Sequence, residues 1–371
     1  MSQHFNRFMF LALFWVLFPQ TVTASDHADP IRLAHTEAGI TGLFVFPDEA
    51  NAHLVIVLCT HPSLESPQTL PLEPLRYILH LDLDPALTFT EQDALNRYGG
   101  TVLSPTEIEA DLEIRYQLSD DIELQNRRLV GQHASIELPS AEVGIHDDPF
   151  VFHRFRSTNV VAIVQQIPFD QLPGDPKHFL VWATTERFGK QVDHAGRALR
   201  TMLPRFNFLN TLHPSQHVAA IRQQHEAPGV LQDVLSTFAS PFFAIRHYDF
   251  APDVVIYSRT RPAGYPNGRL LTDDVAKLCC EQGDCLLYEV SLADAHADHL
   301  PRPTTNPQGF QPDFPYLASA NDQSMPPEEP HLRTRTIVLL ASIGASVAVL
   351  FVLPWILLWK SHRRGSKPPL L

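Results

Sequence analysis

The chain has 371 residues, 44% of them hydrophobic and 19% charged, which is enough apolar material for a large core and excludes a disordered chain. Residues 1–24 and 336–371 hold no acid and contain five cations, Arg7, Lys360, Arg363, Arg364 and Lys367; the remainder sets 23 cations against 41 acids, a formal charge of −18. Such a surface disfavours nucleic acid and anionic lipid and attracts cations and basic proteins, although solvation alone also accounts for it.

At the start, Arg7 precedes the apolar run Phe8–Phe18, the breaker Pro19 and the small-residue site Val22-Thr23-Ala24. These are the three regions of a secretory signal peptide, and the run is too short for a membrane span of roughly 20 residues. Cleavage after Ala24 would leave Ser25 as the new N-terminus. From Gly39 to Pro168 the pattern is one of short β-branched or alternating runs, at 42–46, 53–59, 77–84, 111–118 and 159–168, separated by turn residues. In the third of these, Ile78, His80, Asp82 and Asp84 alternate with Leu79, Leu81 and Leu83, which predicts one wet and one buried face and an antiparallel sheet. The expected fold is mainly β or α+β, an antiparallel-sheet-rich domain, with one C-terminal transmembrane helix.

A further strand is predicted at 179–185, leading into a turn at Gly196. Helical spacing follows over 214–224, 229–238 and 272–280, the last opened by Thr272-Asp273-Asp274, which offers an N-cap and acidic charge at the helix dipole. Residues 301–330 hold eight prolines and read as an extended stalk onto which Phe310, Phe314 and Tyr316 can dock. Ile337–Trp359 is free of charge and long enough to span a bilayer; Trp355 and Trp359 suit an interfacial belt, and the basic residues that follow place the tail inside. The expected organisation is a signal peptide at 1–24, an extracytoplasmic domain at 25–300, a proline-rich stalk at 301–335, a transmembrane helix at 336–359 and a basic cytoplasmic tail at 360–371. This describes a single-pass protein of a bacterial cytoplasmic membrane with its large domain outside. Ala341-x-x-x-Ala345 and Gly344-x-x-x-Ala348 allow close helix pairing, so a homodimer or another protein partner is compatible with the span.

Several phrases together carry a family resemblance. Ser25-Asp26-His27-Ala28-Asp29-Pro30 is followed by Ile40-Thr41-Gly42-Leu43-Phe44-Val45-Phe46-Pro47, His146-Asp147-Asp148-Pro149-Phe150-Val151-Phe152 and Asn159-Val160-Val161-Ala162. Then come Gln191-Val192-Asp193-His194-Ala195-Gly196-Arg197, Tyr265-Pro266-Asn267-Gly268-Arg269, Leu271-Thr272-Asp273-Asp274-Val275 and Phe314-Pro315-Tyr316-Leu317. In this order, over residues 25–318, the chain resembles the bacterial secreted family called domain of unknown function 4331. The resemblance implies export and a single domain, and supplies no reaction or catalytic residue. The chain departs from that pattern in its membrane helix, and in Ala198 and Arg200 where Pro and Asn often follow the Gly-Arg pair.

Nineteen histidines invite a metal reading. After cleavage, the free amine of Ser25, the amides of Asp26 and His27 and the His27 ring could enclose Cu(II) or Ni(II) in a square plane; the same residues also fit a docked N-terminal segment. Asp294, His296 and Asp298, with His299 beside them, offer nitrogen and carboxylate ligands to zinc or another divalent ion, or form a solvated polar run. His146-Asp147-Asp148-Pro149 suits either a cation or a turn. Of four cysteines, Cys279 or Cys280 is expected to bridge to Cys285 in an oxidising compartment, with Cys59 far away on a strand. No Gly-x-Ser-x-Gly elbow, Walker loop or dinucleotide fingerprint is present. Catalytic residues stay unknown, and the expectation is a binding or structural module, with a metal-dependent extracytoplasmic enzyme as the alternative.

Overall fold

The computed structural model describes residues 38–64, 70–150, 159–201, 203–238, 243–282 and 309–321. Two antiparallel sheets dominate. Strands β1 (Ile40–Pro47), β2 (His53–Leu64), β8 (Glu142–Asp147) and β9 (Asn159–Pro168) form one sheet in the order β1-β2-β9-β8. The other runs β11-β10-β3-β6-β7, built from β3 (Leu75–Asp82), β6 (Leu112–Leu118), β7 (Leu124–Gly131), β10 (His178–Arg187) and β11 (Lys190–Ala195). A short β12 (Val255–Ser258) also pairs with β10, and β4 (Leu87–Thr88) with β5 (Thr101–Val102) makes a separate two-stranded ladder.

Every run read as strand in the sequence lies on one of these strands, because β-branched and aromatic residues pack well on a pleated surface that is covered. Leu43 and Val45 of β1, Ile56 and Leu58 of β2, Leu79 and Leu81 of β3, Ile114 and Tyr116 of β6, and Val181 of β10 are all fully buried in one core between the sheets. Each such side chain contributes about 1.5–3 kcal/mol by leaving water. The outer face of the first sheet, carrying Phe44, Val57, Cys59 and Val164, is covered by Leu271 and by Phe310, Tyr316 and Leu317 of the segment 309–321. That segment is stitched down by a reciprocal amide pair: Asn321 N donates to Asn159 Oδ1 at 2.8 Å, and Asn159 Nδ2 donates to Asn321 O at 3.1 Å.

Two sequence readings change. The polar side of β3 is not wet: His80 is 7% and Asp82 5% exposed. His80 stacks on Trp182 at 5.0 Å, and Trp182 meets the ring of His213 edge-on at 5.7 Å, His213 being the N-cap of the helix Pro214–Glu226. On this face Leu180 and Trp182 of β10 pack with Leu87, Phe89, Val102 and Ile108, so alternation of polarity here records a second packing layer rather than solvent. Residues 190–195 form a strand, and the chain leaves the sheet at Gly196, where the turn was expected. His146 and Asp147 end β8 and receive the 309–321 segment, since Asp147 N donates to Ala318 O at 3.3 Å, His146 bridges Ser319 across an antiparallel pair, and the His146 ring nitrogens contact Ala318 O and the Glu142 carboxylate. His146 and Asp147 thus belong to the strand, and the turn chemistry of the phrase is confined to Asp148, whose Oδ1 accepts Phe150 N at 2.9 Å.

Candidate functional site: an arginine-lined cavity

The site arises from one feature of sheet order. β11 and β12 lie end to end along the same edge of β10, with Ala195 opposite Ala183 and Val255 opposite Val181. The intervening chain, residues 196–254, loops out and returns, so Gly196-Arg197 and Asp253-Val254 must meet at its neck.

The residues of the Gln191–Arg197 phrase close that neck. Gln191 Nε2 donates to the carbonyls of Asn210 and Leu212, at 2.9 and 3.1 Å, and holds the 3-10 helix Pro204–Thr211 in place. Asp193 Oδ2 accepts Ile40 N at 2.7 Å, and His194 Nε2 donates to Asp253 O at 2.7 Å. A Cβ on Gly196 would stand 2.2 Å from Asp253 O, so only glycine permits the approach. Arg197 N donates to Asp253 Oδ1 at 2.9 Å. His217, packed edge-on against His194 at 4.9 Å, donates from Nε2 to Leu212 O and accepts Asp253 N at Nδ1. Burial, with the neighbouring His194, pushes its pKa down to about 3, which keeps this ring neutral. These polar groups are spent on backbone bonds; they are scaffold.

What the scaffold presents is a set of cations. Arg197 lies over the Tyr98 ring at 4.1 Å and Arg200 over Phe206 at 4.4 Å, while Tyr98 is tied through its hydroxyl to Tyr248 O. Arg200 is 2% exposed. Its Nη2 donates to Asp249 O at 2.6 Å and Ala251 O at 2.7 Å, whereas its Nε and Nη1 are buried with no hydrogen-bond partner. Burial, and then the nearby Arg197 guanidinium, lower its pKa. Arg205 is different, since it pairs with Asp249 at 3.1 Å. Among the described residues neither Arg197 nor Arg200 has a carboxylate within ion-pair distance of its guanidinium. Together with Tyr248, Tyr265 and Cys279 they line a cavity of about 50 Å³.

The far wall comes from the Tyr265–Arg269 phrase. Asn267 ties its own loop by donating to the carbonyls of Ser258, Arg261 and Pro262 and accepting Ser258 N. Asp273 Oδ2 accepts the amides of Tyr265 and Leu270, and Asp274 caps the helix Val275–Glu281 by accepting Lys277 N. Tyr265 and Cys279 meet at 3.2 Å, hydroxyl to thiol. Arg269 is buried under Phe44 at 3.9 Å, where desolvation brings its pKa down to about 9. Of the phrases quoted from the sequence, Gln191–Arg197 and Tyr265–Arg269 reach this cavity, through Arg197 and Tyr265.

The candidate metal ligands of the sequence lie elsewhere. Ser25, Asp26 and His27, and likewise Asp294, His296 and Asp298, lie outside the described residues, as do Cys285, the signal run and the apolar run 337–359. Among the described residues no helix is long and apolar enough to cross a membrane. The described residues contain one acidic trio with metal-holding spacing, Asp82, Asp84 and Asp111, whose ligand atoms lie within 4.8 Å of one another. Burial, followed by Asp111, raises Asp82 to about 7. An acidic trio of this kind is common without an ion and carries no reading of function alone.

Sequence reading missed Tyr98, Arg200, Arg205, Tyr248 and Asp249. The signal available was Arg197-x-x-Arg200 immediately after a glycine, two cations that one turn of chain sets side by side. No family model, curated protein or solved structure matches the chain. Fold and site together define an antiparallel β protein with a cationic cavity at the neck of a long insertion.

Proposed function

We propose that the protein is a membrane-tethered extracytoplasmic binding module whose ligand occupies the cavity between Tyr98, Arg197, Arg200 and Tyr265. The observation that supports it is Arg200, a guanidinium 2% exposed with two nitrogens lacking any partner, at the wall of a cavity. A buried donor without a partner costs about 1–3 kcal/mol, more when charged, and a ligand that supplies the acceptor offsets that cost. Binding is favoured over catalysis because His194, His217, Asp193 and Asp253, the groups able to move protons, are engaged in holding the backbone.

Tethering rests on the signal run, the apolar run 337–359 and the basic tail, and kinship with the secreted family called domain of unknown function 4331 belongs to the same proposal. An exported domain also suits the expected bridge from Cys279 or Cys280 to Cys285, which belongs to the same proposal. Native mass spectrometry of the full-length protein released from membranes tests the reading. A stoichiometric small-molecule adduct should be retained unchanged by the wild type and lost in Arg197→Gln. Chemical conversion of that molecule by the protein, abolished by chelation, would replace the reading with a metal-dependent enzyme.

A further inference from the structure

The proposal above leaves the ligand's chemistry open, and resting on it we infer that the cavity at Arg197 and Arg200 takes a small oxyanion: a phosphate, sulfate or carboxylate group. Charge is the first argument. Arg205 is neutralised by Asp249, and Arg97, over Tyr248 at 4.1 Å, is paired with Asp93 at 3.0 Å. Arg197 and Arg200 have no such partner, and the nearest acid of the neck, Asp253, is turned to the backbone of Arg197 and to His194. Two adjacent cations in a partly dry site repel one another, and an anion between them removes that repulsion as well as the cost of the bare donors.

Donor chemistry is the second. Guanidinium N–H groups donate only, so whatever satisfies Nε and Nη1 of Arg200 has to accept. A neutral sugar or amide would bring acceptors without charge, and an amine or metal cation would add to the positive charge already there. Oxyanions bring both, in the geometry for which arginine is suited. The Tyr98 and Tyr265 rings close the sides, and a stacked aromatic keeps the Arg197 guanidinium in one orientation without using its N–H groups.

Size is the third. About 50 Å³ is room for a few waters or one compact anion, and a nucleotide or a folded peptide does not fit. The anionic group is therefore either a free ion or the end of a larger molecule whose body stays outside, along Arg97 and Tyr248.

Isothermal titration of the full-length protein in detergent tests this with inorganic phosphate, sodium sulfate, acetate and phenyl phosphate, each against sodium chloride of equal ionic strength. At least one oxyanion should bind with one-to-one stoichiometry, and Arg197→Gln should weaken it about tenfold or more. The exposed-site control Lys190→Gln should leave it unchanged. Arg200→Lys provides the second variant, because it keeps the charge while removing the fork, and it should weaken binding with the fold intact by circular dichroism. Tighter binding of inorganic phosphate than of phenyl phosphate assigns a free ion; the reverse assigns the end of a larger ligand. If none of the four probes binds, while the purified protein retains a neutral or cationic adduct lost in Arg197→Gln, the ligand class is wrong and the binding module stands. If no probe binds and no adduct is retained, both fall.

Discussion

Buried polar residues decide this protein's chemistry, and each can be judged by whether its partners are complete. His217 has both ring nitrogens bonded and is finished; Arg200 lacks partners on two of its three nitrogens. Asp148 illustrates the cost of burying a carboxylate. It is 5% exposed, accepts Phe150 N at 2.9 Å, and is raised by burial to about 8 from an ordinary 3.8. Between those two values the unfolded chain has lost this proton and the folded chain has kept it, so the native state binds more protons and stability falls as pH rises through that window. Asp148→Asn keeps the acceptor and removes the titration. Thermal melts should show the wild type losing more than the variant between pH 5 and pH 8, by about 3 °C or more. Parallel pH profiles for the two proteins would show that Asp148 is ionised in the fold.

At the scale of elements, strands with covered faces were legible and polar edges were not. The runs of β1, β2, β3, β6, β9 and β10 announced themselves because β-branched residues fill both faces or alternate cleanly, as Leu112, Ile114, Tyr116 and Leu118 do. β7, Leu-Gln-Asn-Arg-Arg-Leu-Val-Gly, passed unseen because it pairs only with β6 and its side chains stay largely in water. β3 misled for the opposite reason: its histidine and aspartates suggested solvent, but His80 stacks on Trp182 and Asp82 is buried, and only Asp84 beyond the strand is exposed. The cavity was least legible, since its walls come from residues 97–98, 197–200, 203, 205–206, 248–249, 265, 279 and 282, which only strand order brings together. Trp182 is fully buried in the second layer with Ile108, Leu180 and Ile256, so Trp182→Ala should cost about 3–5 kcal/mol in denaturant unfolding. A loss below about 1 kcal/mol would mean that the layer is held elsewhere.

Across the whole molecule, a chain whose residues 25–335 carry a formal −18 encloses a cavity lined by arginines. The acidic remainder slows the approach of anions at low salt, and screening relieves it over a Debye length of about 8 Å at physiological ionic strength. Association with an anionic ligand should therefore speed up between low and moderate salt in stopped-flow binding, the reverse of a steered encounter; a rate that only falls with salt would place a positive field at the cavity mouth. The proposed tether fixes where that ligand is met. Protease added to spheroplasts should digest residues 25–335 and spare the basic tail, whereas protection of the whole domain would put the cavity in the cytoplasm. The most direct measurement is a crystal structure of the protein purified in phosphate. The account predicts density for a bound anion within hydrogen-bond distance of Arg200 Nε or Nη1 and facing Arg197. A carboxylate of the chain itself in that position, pairing both arginines, would contradict it.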